Sequence, residues 1–232
     1  MPYFYFDWTM LILIPGILIA SYAQMKVYAN YNKYSQVQSE KCMTGAEVAR
    51  QILSSNGLSH IAVQHVDGEL SDHYDPRSKV VRLSDNVFES TSLAAVAIAA
   101  HECGHAIQDA QEYQPMRMRS VIAPWANVGT QLSWILLFAG IILGYFDLSI
   151  VGACIFGVVV LFQLVTLPVE FNASARALDI LDSQGILYSH ELPGAKRVLS
   201  AAAFTYVAAL ITAILTMVRL IIMALSFRRN RW

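Results

Sequence analysis

Apolar residues gather into four long runs, about 8 to 24, 122 to 146, 148 to 168 and 198 to 226. Each approaches the roughly 20 residues that a helix needs to cross about 30 Å of hydrocarbon, which predicts about four transmembrane helices. Only "FDL" around Asp147 parts the second run from the third. These two should form a tight hairpin that leaves the membrane and returns on the same side. A shorter run, "LAAVAIAA" (93–100), cannot span and reads as a buried helix outside the bilayer.

Between the first two runs the pattern changes. "KVYANYNKYSQVQSEKCM" is polar and tyrosine-rich and reads as a linker without helical periodicity. "TGAEVARQILSSNGL" predicts a helix opened by a capping box of Thr44 and Glu47 and stopped at Gly57. "IAVQHVDGEL" and "KVVRLS" alternate like strands on either side of "SDHYDPRS", where Asp75-Pro76 marks a turn. A small sheet therefore precedes a helix over about 91–112.

Composition agrees with a membrane chain: 56% of residues are hydrophobic and 14% charged, with mean hydropathy +0.45. A net charge of -1 creates no global field for nucleic acid, so no nucleic-acid partner is expected. Cys42, Cys103 and Cys154 are odd in number and scattered, which excludes a disulfide framework. Lysine and arginine accumulate on the cytoplasmic side of membranes. Nine of the sixteen lie between residues 24 and 120 and three more between 169 and 197. That puts these two segments inside, and the N-terminus and hairpin tip outside. The tail "FRRNRW" resists the rule, so either the last apolar run is re-entrant or lies along the interface, or it is a full span and the rule fails for this short tail. The first run lacks a basic segment before it and reads as an uncleaved anchor.

"AAHECGHAIQ" (99–108) carries the chemistry. Residues four apart on a helix differ by about 40° around its axis, so His101 and His105 project to one side and can share an ion. Glu102 stands beside the first ligand, where it can act as general base on a zinc-activated water. Alanine, valine and isoleucine before His101 place the pair on a buried helix, where neutral histidines need partners. Cys103 points about 200° away from His101 and reads as core.

A catalytic zinc needs a third protein ligand. Gln108 and Gln111 stand where the metzincin motif wants glycine and histidine, and Glu112 lies about 10 Å further along the helix. The better candidate is Glu170 in "LPVEFNASARALDILDSQG", a segment expected to start a helix at Pro168 and end at Gly185. An even number of spans must separate Glu170 from the histidines, and the hairpin supplies two. The strand "KVVRLS", comprising Lys79, Val80, Val81, Arg82, Leu83 and Ser84, is a candidate edge for an extended substrate or an ordinary sheet strand. His73, Tyr74, His190 and Tyr206 are candidate donors to a developing oxyanion, each also readable as structural. Arg219 reads as snorkelling to an interface; a functional intramembrane charge, like the polar pair Thr205-Tyr206, is the alternative.

The ordered set "DHYDPRSKVVRLS", "AAHECGHAIQ", "VEFNASARAL" and "GAKRVLSAAAFTYVAAL" resembles the bacterial YugP-type membrane-bound neutral zinc metallopeptidases over most of residues 25–210. More distantly, the plan is similar to HtpX-type and CAAX prenyl protease peptidases, where a glutamate ligand sits in an E-x-x-A-D setting. The matching stretch here is Glu170-Phe171-Asn172-Ala173-Ser174, so Ser174 replaces the aspartate that orients a zinc-bound histidine in those relatives. The resemblance implies a gluzincin-like catalytic domain facing the cytoplasm of a bacterial cell membrane.

The expected fold is mainly α and membrane-embedded, with a small α+β catalytic domain of a short sheet plus the HExxH helix. Residues 1–24 form an anchor, 25–120 the metallopeptidase region, 121–168 the hairpin, 169–197 the segment with the third ligand, and 198–232 the last membrane segment with its basic tail. The expected activity is zinc-dependent endopeptidase, with one Zn2+ per chain, acting on membrane-associated or unfolded proteins. Homo-oligomerisation and a regulatory membrane partner stay open. The rival readings are a catalytically silent, metal-stabilised scaffold, against which Glu102 argues, and a transporter, against which the uncharged hairpin argues.

Overall fold

A computed structural model describes residues 8–229. The chain is mainly helical, with a three-stranded sheet and four helices long and apolar enough to cross a membrane. The described residues divide into two compact units, one of 8–22, 118–166 and 205–229, the other of 23–117 and 167–204.

The first unit is built from parts of the long apolar helices. A 3-10 turn, Trp8–Leu13, leads into α1 (Ile14–Tyr34). The others are α5 (Gln114–Leu143), α6 (Phe146–Ser183) and α7 (Leu192–Arg229). Leu137, Ala153, Phe156, Leu220 and Ala224 are packed inside, while Val121, Trp125, Ile135 and Ile142 stay exposed, as expected where hydrocarbon is the solvent. The hairpin turns one step earlier than "FDL". Gly144 takes φ +78 and Tyr145 N–H bonds back to the Gly140 carbonyl, a helix stop that glycine accepts without a Cβ clash. Asp147 then lies in the first turn of α6, where its carboxylate complements the helix dipole.

Arg219 is held inside the unit. Its side chain is buried and Nε donates to Thr9 Oγ1 at 3.1 Å, because a charge turned towards lipid would have no such acceptor. The first seven residues of the N-terminal anchor and the side chains of the basic tail lie outside the described residues.

In the second unit, the expected linker is helical as far as Tyr34, with Tyr31 and Tyr34 both turned into the core. Three residues apart, they share one helix face, a stripe hidden by the polar residues between them. α2 (Gly45–Ser55) carries the capping box: Thr44 Oγ1 accepts from Glu47 N–H at 3.2 Å, and Glu47 Oε2 accepts from Thr44 N–H at 2.8 Å. The sheet has strands β1 (Ala62–Val66), β2 (His73–Asp75) and β3 (Val80–Ser84) in the order β1-β3-β2. β1 pairs parallel to β3, Ala62 with Val80, and β2 pairs antiparallel to β3, Tyr74 with Val81.

This topology corrects the reading of Lys79–Ser84 as a substrate edge. The turn segment "SDHYDPRS" itself contains β2, so β3 is the central strand, bonded on both sides. Beyond β2 the Ser84 N–H is taken by the Asp72 carboxylate at 2.7 Å. A short turn, α3 (Asp85–Phe88), leads to α4 (Leu93–Ala110), whose Ser92 Oγ caps it by accepting from Ala95 N–H. α4 is the buried axis of the unit. Val96, Ala99, Ala100, Cys103 and Ala106 share its core with Val48 and Ile52 of α2, Val81 and Leu83 of β3, and Val169, Ala177 and Leu181 of α6. Cys103 is packing: its Sγ lies 3.6 Å from the Ala49 carbonyl, and burial pushes its thiol pKa up.

Candidate metal centre

α4 sets the two imidazoles one helical turn apart, with ring centroids 4.7 Å from each other and planes at 81°. α6 brings Glu170 across to them. Glu170 Oε2 lies 3.3 Å from His101 Nε2 and 3.5 Å from His105 Nε2. The expected helix start at Pro168 is absent, because α6 runs unbroken through Pro168 from the apolar run. Glu170 is thereby carried on a rigid helix rather than on a fresh first turn.

The size of this triangle tests whether zinc fits. Donors about 2.0–2.2 Å from a tetrahedral zinc lie about 3.3–3.5 Å from one another. The histidine-to-glutamate separations fall in that range, and one atom from each of the three residues lies within 4.8 Å of the others. Two imidazole nitrogens and one carboxylate oxygen are also a donor set that zinc accepts. The Glu170 side chain is 2% exposed, against 14% for His101 and 10% for His105, so the carboxylate is the most deeply buried of the three.

The local field favours a cation. Burial pushes the His105 pKa down, yet the adjacent Glu170 carboxylate and the Glu102 charge hold it above the ordinary histidine value. Asp72 is raised by burial, with the Glu102 charge adding and its bonds from Ser84 opposing. Glu102 itself is buried beside His101 on α4.

Close packing of α4 on α6 holds the triangle. A Cβ on Gly104 would sit 2.7 Å from the Ala173 carbonyl oxygen, so only glycine permits this approach. Ser174 Oγ reaches His101 Nδ1 at 3.2 Å, and Gln108 Oε1 reaches His105 Nδ1 at 3.0 Å. The Gln108 amide also donates to the Val169 carbonyl at 2.8 Å and to Asn172 Oδ1 at 2.9 Å. Arg176 Nε donates to the same Asn172 oxygen at 2.7 Å, and its Nη1 to Gln111 Oε1 at 2.7 Å.

The contacts of three of the other candidate donors lead elsewhere. The Tyr74 hydroxyl donates to Asp109 Oδ2 at 2.6 Å, and Lys79 pairs with the same carboxylate. His73 Nδ1 bonds the Ser71 carbonyl at 2.7 Å, and its Nε2 accepts from Arg82. His190 is exposed, stacked on Tyr188 and bonded to Glu40 at 2.8 Å. Tyr206 belongs to the apolar unit.

A family model described as "Putative neutral zinc metallopeptidase" matches residues 9–225. The chain belongs to that family. It is also 42% identical over 215 residues to "Putative membrane protease YugP" of Bacillus subtilis (strain 168), an alignment covering 93% of this chain and 96% of that protein. No solved structure gives a significant match.

Within this family framework, four residues at the site escaped sequence reasoning: Gln108, Asn172, Asp72 and Gly104. Gln108 left one usable signal, since it lies one turn beyond His105 on the face that His101 and His105 share. Asn172, Asp72 and Gly104 become meaningful only once α6 and β3 lie beside α4.

Proposed function

We propose that this chain is an integral-membrane zinc endopeptidase, with His101, His105 and Glu170 holding the ion and Glu102 as general base. The observation that carries the proposal is the meeting of three donors from α4 and α6 at zinc-like spacing, with a glutamate directly after the first histidine. Zinc bound there supplies a Lewis acid, which polarises a peptide carbonyl and lowers the pKa of water towards neutrality. Glu102 takes the proton of the attacking water and returns it to the leaving amine nitrogen. Glu170, buried and anionic, offsets the charge of the ion and fixes its place against α4. The histidines would hold zinc through Nε2, since Ser174 and Gln108 contact their Nδ1 atoms.

Residues 25–120 and 169–197 form the catalytic part in this reading, while 1–24, 121–168 and 198–232 form the membrane part. The catalytic part faces the cytoplasm, a placement supported by the twelve lysines and arginines in 24–120 and 169–197. The substrates are membrane-associated or unfolded proteins, supported by the four apolar helices and by the relative named a membrane protease. The test is cleavage of unfolded casein by the purified, zinc-loaded full chain in detergent beside Glu102→Gln. Equal cleavage by the two would refute the mechanism.

A further inference from the structure

We propose that Gln108 is a positioning residue of the metal centre: it locks the His105 imidazole in one tautomer and ties it to the turn of α6 that carries Glu170. The proposal rests on His101, His105 and Glu170 being the zinc ligands.

The direction of every bond in the chain of contacts follows from groups that cannot exchange roles. Arg176 Nε only donates, so the Asn172 atom 2.7 Å from it is the carbonyl oxygen. The Val169 carbonyl only accepts, so the Gln108 atom 2.8 Å from it is the NH2 group, which also lies 2.9 Å from Asn172 Oδ1. Gln108 must then turn its own carbonyl oxygen to His105 Nδ1, 3.0 Å away. An amide oxygen only accepts, which puts the imidazole proton on Nδ1. In the neutral imidazole that would hold zinc, the lone pair is then left on Nε2, the nitrogen that faces Glu170 at 3.5 Å. Gln108 is fully buried, so water does not compete for these bonds.

The other histidine is held differently. Ser174 Oγ can donate or accept, so its 3.2 Å contact orients His101 without dictating which nitrogen carries the proton. The Gln108 amide also spans the two helices: one end reads the His105 ring on α4, the other the Val169 carbonyl on α6, one residue before Glu170. A single side chain thereby fixes both the tautomer of one ligand and the position of the next.

The test uses the full-length protein in detergent, stripped of metal, with zinc affinity measured by chelator competition and site geometry by the Co2+ absorption spectrum. Gln108→Met fills the volume without hydrogen bonds and is expected to bind zinc about 10–100-fold more weakly, with an altered Co2+ spectrum. Gln108→Glu keeps an acceptor for Nδ1–H but loses the donor to Val169 and Asn172, and is expected to bind zinc more tightly than Gln108→Met and more weakly than the wild type. Wild-type affinity and spectrum in Gln108→Met would overturn the proposal. So would Gln108→Glu binding no better than Gln108→Met, since a helix tie alone gives that result. If Gln108→Met does not fold, Gln108→Asn, too short to reach His105, replaces it under the same criteria. His105→Ala separates the two levels: undiminished zinc affinity there overturns the ligand assignment and the proposal together. Loss in His105→Ala without loss in Gln108→Met overturns the proposal alone.

Discussion

Ser174 Oγ lies 3.2 Å from Nδ1 of His101, across the contact between α6 and α4. The serine stands where the resemblance to HtpX-type peptidases implies an aspartate, and it makes the orienting contact without a charge. Ser174→Ala should therefore weaken zinc binding about 10-fold, the lower end of the range for such contacts. Chelator competition reads this, and unchanged affinity would show that the hydroxyl is idle.

The ligand assignment makes a sharper demand. The wild type should carry a single zinc, and His101→Ala and Glu170→Ala should each lose it, measured by metal analysis after gel filtration. Full occupancy in Glu170→Ala would remove that residue from the site. Chelation of the wild type should lower its melting temperature, because binding free energy is folding free energy at such a site.

Glu102→Gln separates binding from chemistry. It should keep zinc and lose about 100- to 10,000-fold in turnover, the contribution typical of a positioned acid–base group. Comparing the membrane proteomes of cells carrying wild type or Glu102→Gln would then reveal the substrates as proteins that persist only in the variant.

Gly104→Ala tests the helix contact. The added Cβ would meet the Ala173 carbonyl oxygen at 2.7 Å and its carbonyl and α carbons at 3.3 Å. These are backbone atoms that cannot rotate away. A cost of about 1–3 kcal/mol is expected, together with weaker zinc binding as Glu170 is pushed outward. A variant with unaltered melting temperature and zinc affinity would contradict the observed packing.

Asp72 gives the metal-free protein a pH signature. Burial, with the Glu102 charge adding, raises its pKa in the folded state. The folded protein thus holds a proton that the unfolded chain has released, and stability rises as pH falls from neutral through the folded pKa. Asp72→Asn removes this dependence, while its amide oxygen can still accept the Ser84 N–H. Melting temperatures of wild type and variant should differ in pH slope above the ordinary aspartate pKa of about 4; parallel curves would exclude Asp72 as their source.

The parts legible in the sequence are those with a local signature. A capping box is read from Thr44 and Glu47 alone, because both partners lie within one helical turn. His101, Glu102 and His105 are legible for the same reason. Glu170 is a candidate by elimination of the nearer residues, and counting spans supports it, since each crossing reverses the side of the membrane. The Tyr31–Tyr34 face and the unbroken α6 were missed: polar neighbours masked one helical stripe, and Pro168 suggested a boundary that packing overrode.

Hydropathy by itself determined that four helices are long and apolar enough to cross a membrane, because the transfer of apolar side chains depends on composition over a window and not on partners. The histidine spacing likewise determined a shared face on one helix. Only the tertiary structure decided that β3 is central, that Gly104 admits the backbone of Ala173, and that Gln108 meets both His105 and Val169. Each of these is a relation between elements distant in sequence, and hydrogen-bond direction and close approach exist only after those elements have met.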